Sequence, residues 1–322
     1  MNQMPLLLLL LLLSVTDPLP ANEFKVAAGS GEVGKSAKAY TPAQVNSTYP
    51  LNYWARTGGD ALRIEFNPQN IFRLLPRSEV QVSGSGAANS TFRRVLNLKS
   101  GSVELDLPQI KSTNSKVEVQ TPTAICGAVG TRFTVNADNG QFNVAEGTIF
   151  ARAEGDAGFV AQSVRGSFTL NPGKENAYSD VAVSGSFVLN GQSFNANNVS
   201  IQIAKGKGGA SPAAVRINSG SLDGVSGGSY LMEGGRLAPV EPAKAQLHSS
   251  YLQATQTEGQ LNVQIESRRA SGQPVSAAQN AQLNAAARSA SELRAQLFQR
   301  GVIRDAAKEA VRQSTGVARP RF

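Results

Sequence analysis

Residues 121–135 read Thr121-Pro122-Thr123-Ala124-Ile125-Cys126-Gly127-Ala128-Val129-Gly130-Thr131-Arg132-Phe133-Thr134-Val135. A proline between two threonines opens the stretch, two glycines interrupt it, and Phe133 and Val135 close it on one face of an extended strand. Gly127 and Gly130 admit backbone angles that residues with a Cβ avoid, so the chain is expected to turn a corner there. Thr131 and Arg132 are expected as capping or surface groups, Arg132 being a solvated strand charge in preference to a binding residue. Nothing in the stretch forms a catalytic constellation.

The flanks carry the same period of two. Leu62, Ile64 and Phe66 alternate with Arg63 and Glu65, Val80 and Val82 flank Gln81, and Val103, Leu105 and Leu107 alternate with Glu104 and Asp106. Val117 with Val119, and Phe142 with Val144, repeat the scheme. Alternation with charges between means strands with one buried face and one wet face. Turn residues punctuate them at Asn67-Pro68, Ser83-Gly84-Ser85-Gly86, Ser100-Gly101 and Asp138-Asn139-Gly140. Asn139-Gly140 between two alternating runs is a hairpin signal. Many short strands at regular spacing predict a sandwich, roll or β-solenoid.

With these residues in view, the chain resembles the FecR-like domain family. The Thr-Pro-Thr-Ala segment followed by Gly130-Thr131-Arg132-Phe133 is similar to the hallmark strand of that family. Leu98-Lys99-Ser100-Gly101-Ser102-Val103-Glu104-Leu105 is similar to its upstream strand, and Phe142-Asn143-Val144-Ala145-Glu146-Gly147-Thr148-Ile149 to its closing strand. The resemblance covers roughly Leu51 to Ala153 and names Thr121, Pro122, Thr123, Gly127, Gly130, Thr131, Arg132, Phe133, Glu146 and Gly147 as motif residues, structural or interacting. It implies a non-enzymatic module of periplasmic and envelope proteins, whose best-known members relay a signal from an outer-membrane receptor to a sigma factor. This chain departs from them: a signal peptide stands where a cytoplasmic region and a spanning helix are expected, and an Ala/Gln/Arg tail replaces the C-terminal receptor-binding module. Contact with a sigma factor is therefore not expected.

The signal-peptide expectation rests on Leu6 to Leu13, an unbroken leucine run closed by Ser14 and Asp17-Pro18-Leu19-Pro20-Ala21. That is the length of a signal-peptide hydrophobic region, well short of the roughly 20 apolar residues that span a bilayer. Met1 to Pro5 lacks the usual Lys or Arg. No later segment is apolar enough to cross a membrane, so the mature chain is expected without a transmembrane span, in the periplasm or on the cell surface of a bacterium. Cys126 is the only cysteine among 322 residues, which rules out an internal disulfide and a cysteine-rich metal site. It is expected to fill core space. The net charge is +8; from Pro274 onward eight Lys/Arg face three Asp/Glu, so +5 of it sits in the tail. A basic tail on an exported chain points to an anionic envelope polymer before nucleic acid.

Beyond residue 155 the chain keeps its β style with more Gly, Ser and Asn. Val164-Arg165-Gly166-Ser167-Phe168-Thr169-Leu170-Asn171 is echoed 19 residues later by Val183-Ser184-Gly185-Ser186-Phe187-Val188-Leu189-Asn190. Stacked solenoid turns would produce such an echo, and so would chance in a Gly/Ser-rich chain. After Pro239 and Pro242, Leu283, Ala287, Ala290, Leu293 and Leu297 fall at helical spacing, with Gly301 as an interruption and Gly316 to Phe322 expected to be disordered. The expected organisation is a signal peptide at 1–21, a FecR-like β domain at 22–155, a Gly/Ser/Asn-rich β extension at 156–238, and a linker with an Ala/Gln/Arg-rich helical tail at 239–322. The fold class is all-β, a solenoid, roll or sandwich of short strands, with a C-terminal α-helical basic tail.

Two spellings of catalytic motifs are discounted. Gly29-Ser30-Gly31-Glu32-Val33-Gly34-Lys35-Ser36 satisfies the phosphate-loop pattern, but Tyr40-Thr41-Pro42 stops the helix it needs, and the stretch is expected as the glycine turn of an early β hairpin. Gly224-Val225-Ser226-Gly227-Gly228 spells a nucleophile elbow without its strand–turn–helix context. Its base would have to be His248, the only histidine, expected at the surface. Acidic residues are scattered and nominate no glycosidase pair. No catalytic, metal or cofactor-binding residue is assigned. The expectation is a cell-envelope module that binds a protein partner, with the place in envelope signalling that the resemblance implies and with no nucleic acid. The alternative is a binder of cell-wall or other polysaccharide, or a surface structural protein. Tyr49, Tyr53 and Trp54 form the aromatic cluster that could stack on sugars, though Trp54 is expected in the core.

Overall fold

The structure, a computed structural model, describes residues 22–302 apart from 68–69, 86–92, 108–115, 154–159, 163–164, 190–191, 208–212 and 234–235. The leucine run with its cleavage point and the stretch from 303 onward lie outside the described residues. The first thirteen strands are β1 (Glu23–Gly29), β2 (Glu32–Gly34), β3 (Tyr40–Pro42), β4 (Thr48–Pro50), β5 (Trp54–Arg56), β6 (Leu62–Asn67), β7 (Asn70–Leu74), β8 (Glu79–Ser85), β9 (Arg93–Ser100), β10 (Ser102–Asp106), β11 (Lys116–Gln120), β12 (Ala124–Asn136) and β13 (Gln141–Ala153). There follow β14 (Val160–Gln162), β15 (Arg165–Thr169), β16 (Asn171–Pro172), β17 (Asn176–Leu189), β18 (Gln192–Gly206), β19 (Ala213–Leu222), β20 (Val225–Glu233) and β21 (Arg236–Pro239), then helices α1 (Ala245–Ala270) and α2 (Ala277–Gln299). The chain is mostly β with two C-terminal helices.

Strand pairing sorts the first half into two ladders. One runs β4–β1–β6–β7–β10 and joins the second half of β12. The other runs β3–β2–β5–β8–β9, continues through the parallel pair β9–β11, and joins the first half of β12. Successive segments cross from one ladder to the other, so each corner needs its own polar cement. The Thr57 hydroxyl donates to Leu75 O (2.5 Å) and accepts from Ser78 N (3.0 Å), and Ser78 Oγ accepts from Ser102 N (2.7 Å). Gly29–Gly31 is such a corner. β1 and β2 do not pair with each other but with β6 and β5 in separate ladders, and the expected early hairpin lies at the other end of the Gly29–Ser36 stretch, where Gly34 leads into the turn between antiparallel β2 and β3.

The alternating hydrophobes face a shared interior. One buried cluster runs from Phe24 to Met232 and takes Leu62, Ile64, Phe72, Val80, Leu96, Val103, Val119, Phe133 and Phe142 from both ladders. Cys126 is buried within it, and burial pushes its thiol pKa up, as befits a small core hydrophobe. Asn139-Gly140 does close the β12–β13 hairpin, with Asn136 Oδ1 accepting from Asp138 N (2.8 Å) and Asn139 N (3.2 Å). The echo lies on adjacent strands: Gly166 pairs with Val183 and Phe168 with Val181 in antiparallel β15 and β17, while Phe187 meets Phe194. Ser226 sits inside β20 opposite Ser221, just past the β19–β20 turn, with no helix following.

The helical spacing expected from Leu283 to Leu297 is α2, capped by a reciprocal Ser276–Gln279 box, with Leu283, Ala287, Ala290 and Leu297 buried. It packs on α1, an element with no counterpart in the sequence reading. The buried residues of α1 are His248, Tyr251, Leu252, Thr255, Glu258, Gly259, Val263, Ile265 and Ser267, a set in which polar side chains are interleaved with apolar ones. Their partners are on the strands. Glu258 is fully buried, and its carboxylate accepts from Glu175 N (2.5 Å), Asn176 N (3.1 Å) and Asn176 Nδ2 (2.8 Å). Tyr251 donates to Asn176 Oδ1 (3.2 Å), Asn262 Nδ2 to Pro172 O (2.5 Å), and Ser267 Oγ to Asp138 (2.7 Å). His248, expected at the surface, is also fully buried: its ring is seated by Nε2 against Tyr230 O at 3.0 Å.

Two predictions follow from this seam. Glu258→Ala strands three backbone and side-chain donors and is expected to cost about 3 kcal/mol in urea unfolding. For His248, burial first and then the Arg216 charge hold the pKa below the ordinary 6.5. Below that value the unfolded chain takes up a proton that the folded chain resists, so the stabilisation is present above it and is lost as pH falls through the folded value. The melting temperature is expected to drop on the acid side of pH 6.5. His248→Gln, which keeps an N–H for Tyr230, should flatten that part of the profile.

Candidate interaction surface

The motif hairpin β12–β13 is bent where the two ladders meet. Residues 125–128 of β12 pair with β11, whereas 132–136 pair with β10. In β13, residues 141–144 pair with β15 and 150–152 with β14. The register between β12 and β13 slips at Val129/Arg132, and the bend falls on Gly130 (φ 60°) and Gly147 (φ 97°). A Cβ on Gly147 would collide with the Gly130 carbonyl oxygen and lie 2.8 Å from Thr131 Cα. Thr131 is buried and pins the bend, donating to Thr148 O (2.7 Å) and accepting from Thr148 N (3.1 Å). Of the two roles expected it takes the capping one, inside the fold and not at the surface.

The remaining motif residues divide between frame and face. Thr121 Oγ1 accepts from Ala124 N (2.9 Å), closing the turn that carries Pro122 and the buried Thr123. Phe133 lies in the core. Arg132 is exposed and reaches Asp106 at 3.4 Å, a surface pair worth little to stability. Glu146 stands opposite Arg132 in the register. Gly127 does not turn the chain as expected: it is mid-strand, outside the left-handed region, and a Cβ there would meet nothing within 4 Å. Its neighbours Cys126 and Ala128 are buried, and its missing side chain leaves a hollow on the outer face of the second ladder.

That hollow is the floor of a groove of about 490 Å³ over β9, β11, β12 and β13. Ile125 and Phe150 supply apolar walls; Phe150 is 43% exposed, one of two large hydrophobes so exposed among the described residues. Arg93 and Arg152 flank it, with Arg93 paired to Glu118 at 2.7 Å. The aromatic cluster differs from expectation. Ala55 takes the core position of β5 and turns Trp54 outward, half-buried, with Lys99 Nζ 5.7 Å from its ring centroid. Tyr49 and Tyr53 pack at the edge of the core. Among the described residues no group of three or more His, Cys, Asp or Glu is gathered to hold a metal.

The family model described as FecR protein matches residues 54–150. Over this stretch, less than a third of the chain, the sequence is similar to a FecR domain. The stretch begins at Trp54, ends at Phe150, and contains the bent hairpin and most of the groove. No curated protein and no solved structure matches the chain. No helix among the described residues is long and apolar enough to cross a membrane. The FecR-like stretch thus gives its two hallmark glycines opposite jobs, Gly130 for the bend and Gly127 for the open face. Gly147→Ala, strained and overpacked, is expected to lower unfolding stability by about 2–4 kcal/mol. Gly127→Ala should be neutral or stabilise by up to about 1 kcal/mol in the same urea titration.

Proposed function

We propose that this chain is a non-enzymatic interaction module of the bacterial cell envelope, exported by its leucine run, whose FecR domain docks an envelope protein partner. The observation that carries the reading is the groove over Gly127. Neither backbone angle nor packing calls for glycine there, yet the hollow lies beside the exposed Phe150 and the half-exposed Ile125. Apolar anchors with a charged rim of Arg93, Glu118 and Arg152 are what a protein partner's buried side chain requires. The crossing of successive segments between ladders favours the roll among the architectures considered. In this reading the basic tail adds contact with anionic envelope polymer through Arg288, Arg300 and the residues beyond 302; Arg294 is turned inward against Gly206.

The test is site-specific photo-cross-linking from position 150 in intact cells, followed by mass spectrometry. One defined envelope protein should be recovered, and Gly127→Leu, which fills the hollow, should reduce its yield at least tenfold while the melting temperature holds. Unchanged cross-linking in that variant, or none from the native chain, would overturn the assignment.

A further inference from the structure

The cross-strand register of the second ladder draws a row that no single strand reveals. Trp54 lies opposite Gln81, Gln81 opposite Asn97, Asn97 opposite Gln120, Gln120 opposite Ile125, and Ile125 opposite Arg152. Each residue's neighbours along its own strand, Ala55, Val80, Val82, Leu96, Leu98, Val119 and Cys126, point into the core, so the row faces outward. With strands about 4.8 Å apart, the six residues span about 24 Å across the strands. The face is a tryptophan followed by three consecutive side-chain amides. Gln81 donates to Asn52 O (3.1 Å) and Asn97 to Ser83 Oγ (3.3 Å), which orients both amides and leaves their carbonyl oxygens as acceptors.

We propose that this row binds an acidic glycan, laid across the strands with one ring on Trp54 and its hydroxyls on Gln81, Asn97 and Gln120. A planar indole suits the C–H face of a pyranose, and neutral amides that both donate and accept match hydroxyls in pairs. An apolar peptide finds nothing to bury between Trp54 and Ile125. The charge on the glycan follows from the ends of the row. Lys99 holds its ammonium over the Trp54 ring and Arg152 closes the other end, and among the described residues neither pairs with a carboxylate. Nearby Arg56 and Arg93, by contrast, are matched by Glu32 and Glu118. Any sugar stacked on the indole must move the Lys99 ammonium aside, and only one with a carboxylate keeps that ammonium paired once it has moved. The overall charge of +8 draws such a polyanion in from solution.

Trp54 is the only tryptophan, so its emission reports on the row directly. The full chain is titrated with hexagalacturonate and with a neutral galactose oligomer of equal length, calorimetry serving the variants. The expected result is a saturable change in emission with the acid, at least tenfold weaker binding of the neutral oligomer, and at least a tenfold loss in Lys99→Glu and in the double variant Gln81→Ala, Asn97→Ala. The row and the groove share Gln120, Ile125 and Arg152, so Gly127→Leu disturbs only that end, some 19 Å from Trp54 by the same spacing; the Trp54 emission change should persist in it, while Lys99→Glu, outside the groove lining, should abolish it. No emission change with the acidic oligomer, or equal affinity in Lys99→Glu, would overturn the proposal; the latter would place the polyanion on the tail.

Discussion

The bend of the β12–β13 hairpin is the constraint from which the rest of the β structure takes its position. A strand pair ordinarily presents one face to one interior. Here the same pair belongs to two ladders, its outer half hydrogen-bonded to β11 and β14 and its inner half to β10 and β15. Two backbones can cross that junction only if one approaches the other without a Cβ, which Gly147 allows beneath Gly130. The Thr131 hydroxyl then satisfies the backbone groups that the slipped register leaves unpaired. Further along the chain the same crease recurs as register slips at Val183/Gly185, Asn197/Ser200 and Ile217/Ser221. One interior is thereby wrapped from Phe24 to Met232.

What could be read in the sequence was whatever depends on alternation. Leu62, Ile64 and Phe66, or Val103, Leu105 and Leu107, declare their buried face because the residues between them are charged. The hallmark residues gave the family, since Thr131, Phe133 and Gly147 meet constraints local to the hairpin. Long-range partners were another matter. Helix α1 escaped because its buried stripe interleaves Leu252, Val263 and Ile265 with His248, Tyr251, Thr255, Glu258 and Ser267, and polar residues count as surface until their partners are known. Glu258 is legible only beside Asn176, 82 residues away, and His248 only beside the Tyr230 carbonyl. Trp54 misled in the opposite direction: size argues for the core, but on a strand of three residues Ala55 had already taken that side.

The candidate surface shows the same division. Gly127 was visible as a glycine, but its role was not, since a glycine that turns and a glycine that leaves room are spelled alike. Only the extended backbone and the empty space above it tell them apart. The amide row is hidden more deeply still. Gln81, Asn97 and Gln120 are unremarkable residues in separate strands, and they become a row through the parallel β9–β11 pairing, whose register no local signal records.

The polar seam under α1 has a consequence for how the molecule is made. Its contacts reach from Asp138 at the tip of the motif hairpin, through Pro172 and Asn176, to Tyr230 in the penultimate strand. Synthesis runs from the N-terminus, so every one of those acceptors and donors exists before the helix that answers them. Until Ser267 has been added, the β part carries a line of unanswered polar groups beside its finished core. Helix α1 therefore meets its full set of polar partners only when the strands that carry them, from Asp138 to Tyr230, already stand in register.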